Sequence, residues 1–289
     1  MITRYFAYSV YIIFFMTSIS AYSMHRAIKF AGCCTLPIVG IIDAYDRYQT
    51  LQIPADGKPV QGAVKKWSKP IMKECGVEKI PFQYGDNMGW CTVQDKMVRA
   101  APNTIDTLSR IFAKKPQDRT AAENKEVATN AALAKHELFH VIHKDTMNQV
   151  YADFWIPATV QAVSSITRYS LATVYKMQTP KTASQHIAMS CLTIAGLHCK
   201  LIASDRSKII YARHLETQAD EFACKHSNRQ ELEAFAQDFK QHEQTILNSR
   251  KYRAIKHDPS LVKWTFFFSN DPHPYSGDRA AMVEKYLKD

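Results

Sequence analysis

No C-x-x-C pair occurs among the seven cysteines, Cys33, Cys34, Cys75, Cys91, Cys191, Cys199 and Cys224, which excludes a cysteine-built zinc knuckle. Their odd number is incompatible with a complete disulfide framework. In an exported chain, Cys75 and Cys91 are the pair expected to bridge. No internal repeat and no low-complexity tract interrupts the 289 residues, so a repeat array is excluded. There is also no Lys/Arg block with interleaved aromatics and no nucleic-acid motif, although the formal net charge is +10. Nucleic acid is therefore not expected as a partner, and the basic excess reads as a membrane-compatible or non-specific surface.

What is present suits one large globular domain, or one with a small appendage: 46% of residues are hydrophobic and 22% charged. The start, "MITRYFAYSVYIIFFMTSISAYS", places Arg4 before an apolar run that ends in small residues. It reads as a signal peptide cleaved after about residue 24 or as a retained membrane anchor, hence as export or membrane anchoring. Residues 25–78 are expected to be helical and irregular. Strands are expected in "EKIPFQYGDNMGWCTVQDKMVRAA" around the Gly85–Gly89 turn, then a short helix capped by Asn103 or Thr104. A loop at 116–120 leads into a long helix from about Ala121 to Lys144 without Gly or Pro. The apolar stretch 151–203, broken by Arg168, His198 and Lys200, is expected to form helices buried in the protein rather than in lipid. Helices over 207–226 and 229–248, an apolar stretch, a turn and a last helix near Ser276 complete a mainly helical α+β chain.

"AKHELFHVIHKD", residues 134–145, carries the chemistry. On a helix, His136, His140 and His143 share a narrow arc, while Val127, Ala131, Ala134, Leu138 and Val141 lie opposite. Histidines four apart converge two ring nitrogens on one point, as zinc requires. Glu137 sits beside that face, placed to hold a water. His143 is too far along the helix to complete a tetrahedral site and is read as a surface or outer residue. In "YARHLETQADEFACKH", Glu216 and Asp220 also share one helix face, with Ala212, Arg213 and Ala223. Glu216 is then the candidate third ligand, and Asp220 the acceptor that fixes the His136 tautomer.

H-E-x-x-H followed by E-x-x-x-D resembles the gluzincin peptidases. More narrowly it resembles the HtpX-like group, which includes Oma-type mitochondrial proteases, periplasmic quality-control proteases and CAAX prenyl proteases. The resemblance spans about residues 80–289 and extends to "SNDPHPYSGDRAAMVEKYL", which looks like that group's His-Pro turn and following arginine. It implies a zinc metallopeptidase domain over 79–289, with a small β-sheet before the histidine helix. It implies one Zn2+ on His136, His140 and Glu216, Glu137 as general base and acid, Asp220 and Arg279 behind the ligands, and His273 as a donor to the developing oxyanion, with Tyr275 its competitor. Its substrate would be a polypeptide, of misfolded or envelope proteins, held by strand pairing along residues 80–100. Phe139 stands where that group usually has glycine, and Gln218 where it usually has an acid. A large ring beside the metal is the feature that keeps a zinc-binding but inactive holdase or adaptor as the alternative.

Overall fold

The computed structural model describes residues 21–52, 58–77, 79–85, 90–93, 95–174 and 182–288; the leader and the Asp86–Gly89 turn lie outside them. These residues form a mainly helical α+β fold: helices α1 (Ala21–Gln52) and α2 (Gly62–Glu74), strands β1 (Phe82–Tyr84), β2 (Trp90–Val93) and β3 (Met97–Ala100), then helices α3 (Pro102–Phe112), α4 (Ala121–His143), α5 (Asp145–Val174), α6 (Ala183–His226), α7 (Arg229–Asn248), α8 (Pro259–Phe267) and α9 (Ser276–Lys288). The sheet order is β1-β3-β2. β1 runs parallel to β3 with Phe82 opposite Val98, and β2 antiparallel with Trp90 opposite Ala100.

Contacts divide the described residues into two compact units, one within 21–44 and 152–208, the other within 45–151 and 209–288. Helix α2 belongs with the sheet because its Val64 and Ile71 share a core with Phe82, Val98, Ile105 and Leu108. The predicted apolar face of α4 closes that core through Ala131, Ala134, Leu138 and Val141. The other flank of α4 is buried too: Ala132 meets Ala223, Leu232, Phe235, Phe239, Ala280 and Val283 from α6, α7 and α9. The histidine face is therefore not a solvated one.

Caps set the helix starts. Thr120 and Glu123 form a reciprocal capping box at α4, as do Asn228 and Glu231 at α7. The cap expected at Asn103 or Thr104 is instead Ala101, because Pro102 occupies the first helical position, where its missing N–H costs nothing. The helix expected over 207–226 is the last part of the 44-residue α6. Gly196 inside it has open space around its Cα and is carried without a break.

The 21–44 and 152–208 unit overturns the expectation of buried apolar helices. Trp155, Val163, Ile166, Tyr169, Leu192 and Ile202 are each more than half exposed. Asp153, Gln161, His186, Ser190 and Ser204 are buried instead. Lys208 reaches Asp43 at 2.7 Å and Asp153 at 3.5 Å, and Lys200 donates to Gln161 at 3.3 Å. Helix α1 crosses α5 closely at Gly40, where a Cβ would lie 3.0 Å from the Asp153 carbonyl oxygen. Average hydropathy cannot say which way such residues face.

Lys135 ties the other unit together. Its ammonium, 1% exposed, contacts Glu231 at 2.7 Å, Glu74 at 2.8 Å and the His226 carbonyl at 2.6 Å. Burial opposes its charge, yet the two carboxylates hold its pKa above the usual lysine value. One residue thus joins the ends of α2 and α6 and the start of α7 to the turn of α4 that holds His136. Lys135→Met should cost about 3–5 kcal/mol, because Glu231 and a carbonyl would stay buried without their cation. Urea denaturation checks this; a loss below about 1 kcal/mol would show that the cluster is dispensable.

Candidate metal centre

Helix α4 presents His136 and His140 one turn apart, and their Nε2 atoms lie 3.1 Å from each other. Glu216 from α6 faces both, its Oε2 3.3 Å from His136 Nε2 and its Oε1 3.6 Å from His140 Nε2. One ligand atom from each residue falls within 4.8 Å of the others. The buried Glu216 Oε2 makes no hydrogen bond, and two imidazole nitrogens 3.1 Å apart have room for only one proton between them. A two-nitrogen, one-oxygen donor set converging on a point where the protein supplies no satisfactory partner fits a small divalent cation such as zinc.

Both histidines are oriented from behind. His136 Nδ1 donates to Asp220 at 2.8 Å, as expected. Asp220 is fully buried and also accepts two bonds from Arg279, at 2.6 and 2.7 Å. The guanidinium lies 4.1 Å over the Phe239 ring, so Arg279 cannot swing away without losing that contact. Burial alone would raise the Asp220 pKa, but His136 and Arg279 hold it below the usual carboxylate value. Burial likewise opposes the charge on His136, but Asp220 and Glu216 lift its pKa to about 10. Glu216, raised by burial, is drawn down to about 2 by His136, His140 and His273.

The second support was not foreseen. His140 Nδ1 donates at 2.7 Å to Asp145, which is 2% exposed. Lys144 between them adopts the left-handed conformation, φ 54°, ending α4 and turning Asp145 back toward the ring. Asp145 opens α5, whose first N–H groups are capped from a distance: Thr146 and Met147 donate to the two carboxylate oxygens of Asp95, at 2.8 and 2.9 Å. Asp95 sits at the β2–β3 turn, itself at φ 53°. Asp145, the acid that ends "HKD", is a signal readable in the sequence; the Asp95 cap, made across 51 positions, is not.

His273 comes from the α8–α9 connection. Its backbone N–H and Nδ1 both bond Asp271 Oδ1, at 2.9 and 3.0 Å, and that bond, against the opposing effect of burial, raises its pKa. Nε2 is left facing Glu216, 3.8 Å from Oε2. Tyr275 is committed elsewhere, donating to Glu243 at 2.6 Å. Glu137 is half-buried on the next position of α4. Cys91 on the edge strand β2 is close enough to feel its charge: the thiol pKa is raised by burial and then by Glu137, against Arg99. Cys91 and Cys75 are both free, so the bridge expected between them is absent; Cys75 is buried in the core. The Phe139 ring lies edge-on to the His140 ring, with centroids 5.9 Å apart. It is 6% exposed, stacked on the exposed His143 at 4.0 Å and packed on Phe222 at 5.5 Å. Gln218 is exposed.

No family model, curated protein or solved structure matches the chain.

With Zn2+ as probe ion, Glu216→Ala should abolish most binding. Asp145→Ala should weaken it about 10- to 100-fold, as should Asp220→Asn. Asp95→Ala should fall by about tenfold, while Thr120→Ala, an equal cap loss remote from the site, should bind like the parent. Competition titration against a chromophoric chelator measures all of these. Parent-like affinity in Asp145→Ala would remove its orienting role.

Proposed function

We propose that the chain is a zinc-dependent endopeptidase. The observation that carries this is the convergence of His136, His140 and Glu216, each histidine backed by its own buried carboxylate. Bound zinc would polarise the scissile carbonyl and make a nearby water acidic enough to deprotonate at neutral pH. Glu137, beside the histidine face of the same helix, takes the proton from the attacking water and returns it to the leaving amine. Asp220 and Asp145 keep both imidazoles in the tautomer that leaves Nε2 free for the ion. His273, held by Asp271, directs Nε2 to where negative charge develops on the carbonyl oxygen. A polypeptide substrate is aligned by pairing with the free edge of β2, which among the described residues bonds only β3. This reading agrees with the resemblance to HtpX-like gluzincins drawn from the three motifs.

We also propose that the 21–44 and 152–208 unit lies in a lipid bilayer. An 18-residue window of α6 has mean hydropathy 1.5 and is only 17% buried. The outward apolar and inward polar pattern is the reverse of a water-soluble bundle and suits lipid, where polar groups find partners inside. The charged Lys208, Asp43 and Asp153 are paired accordingly. Protein recovered in the soluble fraction after alkaline carbonate washing of membranes would exclude this placement.

Two substitutions separate chemistry from metal binding. Glu137→Gln should keep one zinc and lose cleavage of unfolded casein, because the amide cannot take the proton. Cleavage at the parental rate would remove Glu137 as the base, and a protein without zinc would end the metallopeptidase reading. His273→Phe should keep zinc and lower kcat by about 10²–10³, with little change in KM. Unchanged kcat would leave the oxyanion to the metal alone.

A further inference from the structure

Helix α8 is apolar on two faces and only one is covered. Val262 and Phe266 enter a core with Tyr252 and Tyr275. Leu261, Trp264, Phe267 and Phe268 point outward, 42%, 65%, 48% and 47% exposed. The outward rings touch one another: Trp264 and Phe268 have centroids 4.6 Å apart, Phe267 and Phe268 5.2 Å. A continuous patch of large aromatics at this exposure marks a contact surface.

The patch is also held still. Arg213 donates to the carbonyls of Phe266, Phe267 and Asp271, each at 3.1 Å, and lies 5.2 Å over the Phe266 ring. The carbonyls left open at the end of α8 are thereby bound, and the aromatic side chains project from a fixed base.

The segment that leads into the patch is basic. Arg250, Lys251, Arg253 and Lys256 are all exposed in the turns leading into α8. The acid within that stretch, Asp258, is used as the helix cap, accepting from the Leu261 N–H at 3.0 Å. Tryptophan and phenylalanine beside lysine and arginine match the boundary of an anionic bilayer, rings among the upper acyl carbons and cations among the phosphates. An apolar polypeptide or a second copy of this strongly basic chain would leave the four cations without counter-charges.

We propose that α8 and the preceding basic turns dock on the surface of an anionic membrane, a contact separate from the 21–44 and 152–208 unit and independent of the metal reading. Because the full chain has other apolar segments, the test reads Trp264 itself rather than binding. Full-length protein is reconstituted into phosphatidylcholine vesicles with and without phosphatidylglycerol, carrying acyl chains brominated near their upper carbons. The Trp264 emission is the difference between the parent and Trp264→Phe. In anionic vesicles that emission should be blue-shifted and at least about twofold quenched by the brominated lipid. The quenching should disappear in K251E/R253E/K256E and, should that variant fold poorly, in the parent at high salt. Trp264 emission that stays solvent-like in anionic vesicles would overturn the proposal. So would quenching that is equal in vesicles lacking phosphatidylglycerol and indifferent to salt, or shielding of Trp264 without lipid, which would assign the patch to a second copy.

Discussion

A carboxylate fully removed from water is tolerated only when its oxygens are saturated with charged donors, and Asp220 meets that condition with partners from two other helices. His136 of α4 and Arg279 of α9 supply three short bonds to it. Removing either leaves a buried, partly unpaired charge, an error of several kcal/mol in a domain whose net stability is of about that size. The positions of α4, α6 and α9 are therefore mutually dictated at one point, and that point is the back of His136. The small side chains around it, Ala219 and Ala223 on α6, are wholly buried and let the helices come close enough for the bonds to form.

The two histidines that face Glu216 are supported by different kinds of structure. His136 depends on tertiary packing. His140 depends on a local backbone device, the left-handed Lys144 that folds Asp145 back on the preceding turn. Asp95 then fixes the start of α5 from the turn of the same hairpin whose edge strand lies beside Glu137. The sheet edge, Glu137 and the orientation of His140 are consequently parts of one connected arrangement.

Periodicity made the histidine helix, its apolar face and its neighbours readable, because i, i+4 spacing constrains a helix wherever it sits. The same logic placed Glu216 with Asp220. It failed where partners are remote in sequence. Nothing near Lys135 announces that it is buried against Glu74 and Glu231, and nothing near Asp95 announces a helix end 51 positions on. Nor does a list of hydrophobic residues reveal that those of 152–208 face outward, since inside-out and ordinary helices share a composition. The packing of Phe139 is remote in the same way, since its ring meets Phe222, a residue of another helix.

The unequal supports have a kinetic meaning. Asp145 meets His140 across 5 positions, whereas Asp220 meets His136 across 84 and Arg279 meets Asp220 across 59. Closing a short loop is fast and needs little of the chain to be in place; closing long ones waits for the docking of whole helices. The His140 side of the centre is thus assembled early, while the His136 side is completed only as the helices lock. A chain still folding holds half of the histidine–carboxylate cluster, and the whole of it arrives together with the finished fold.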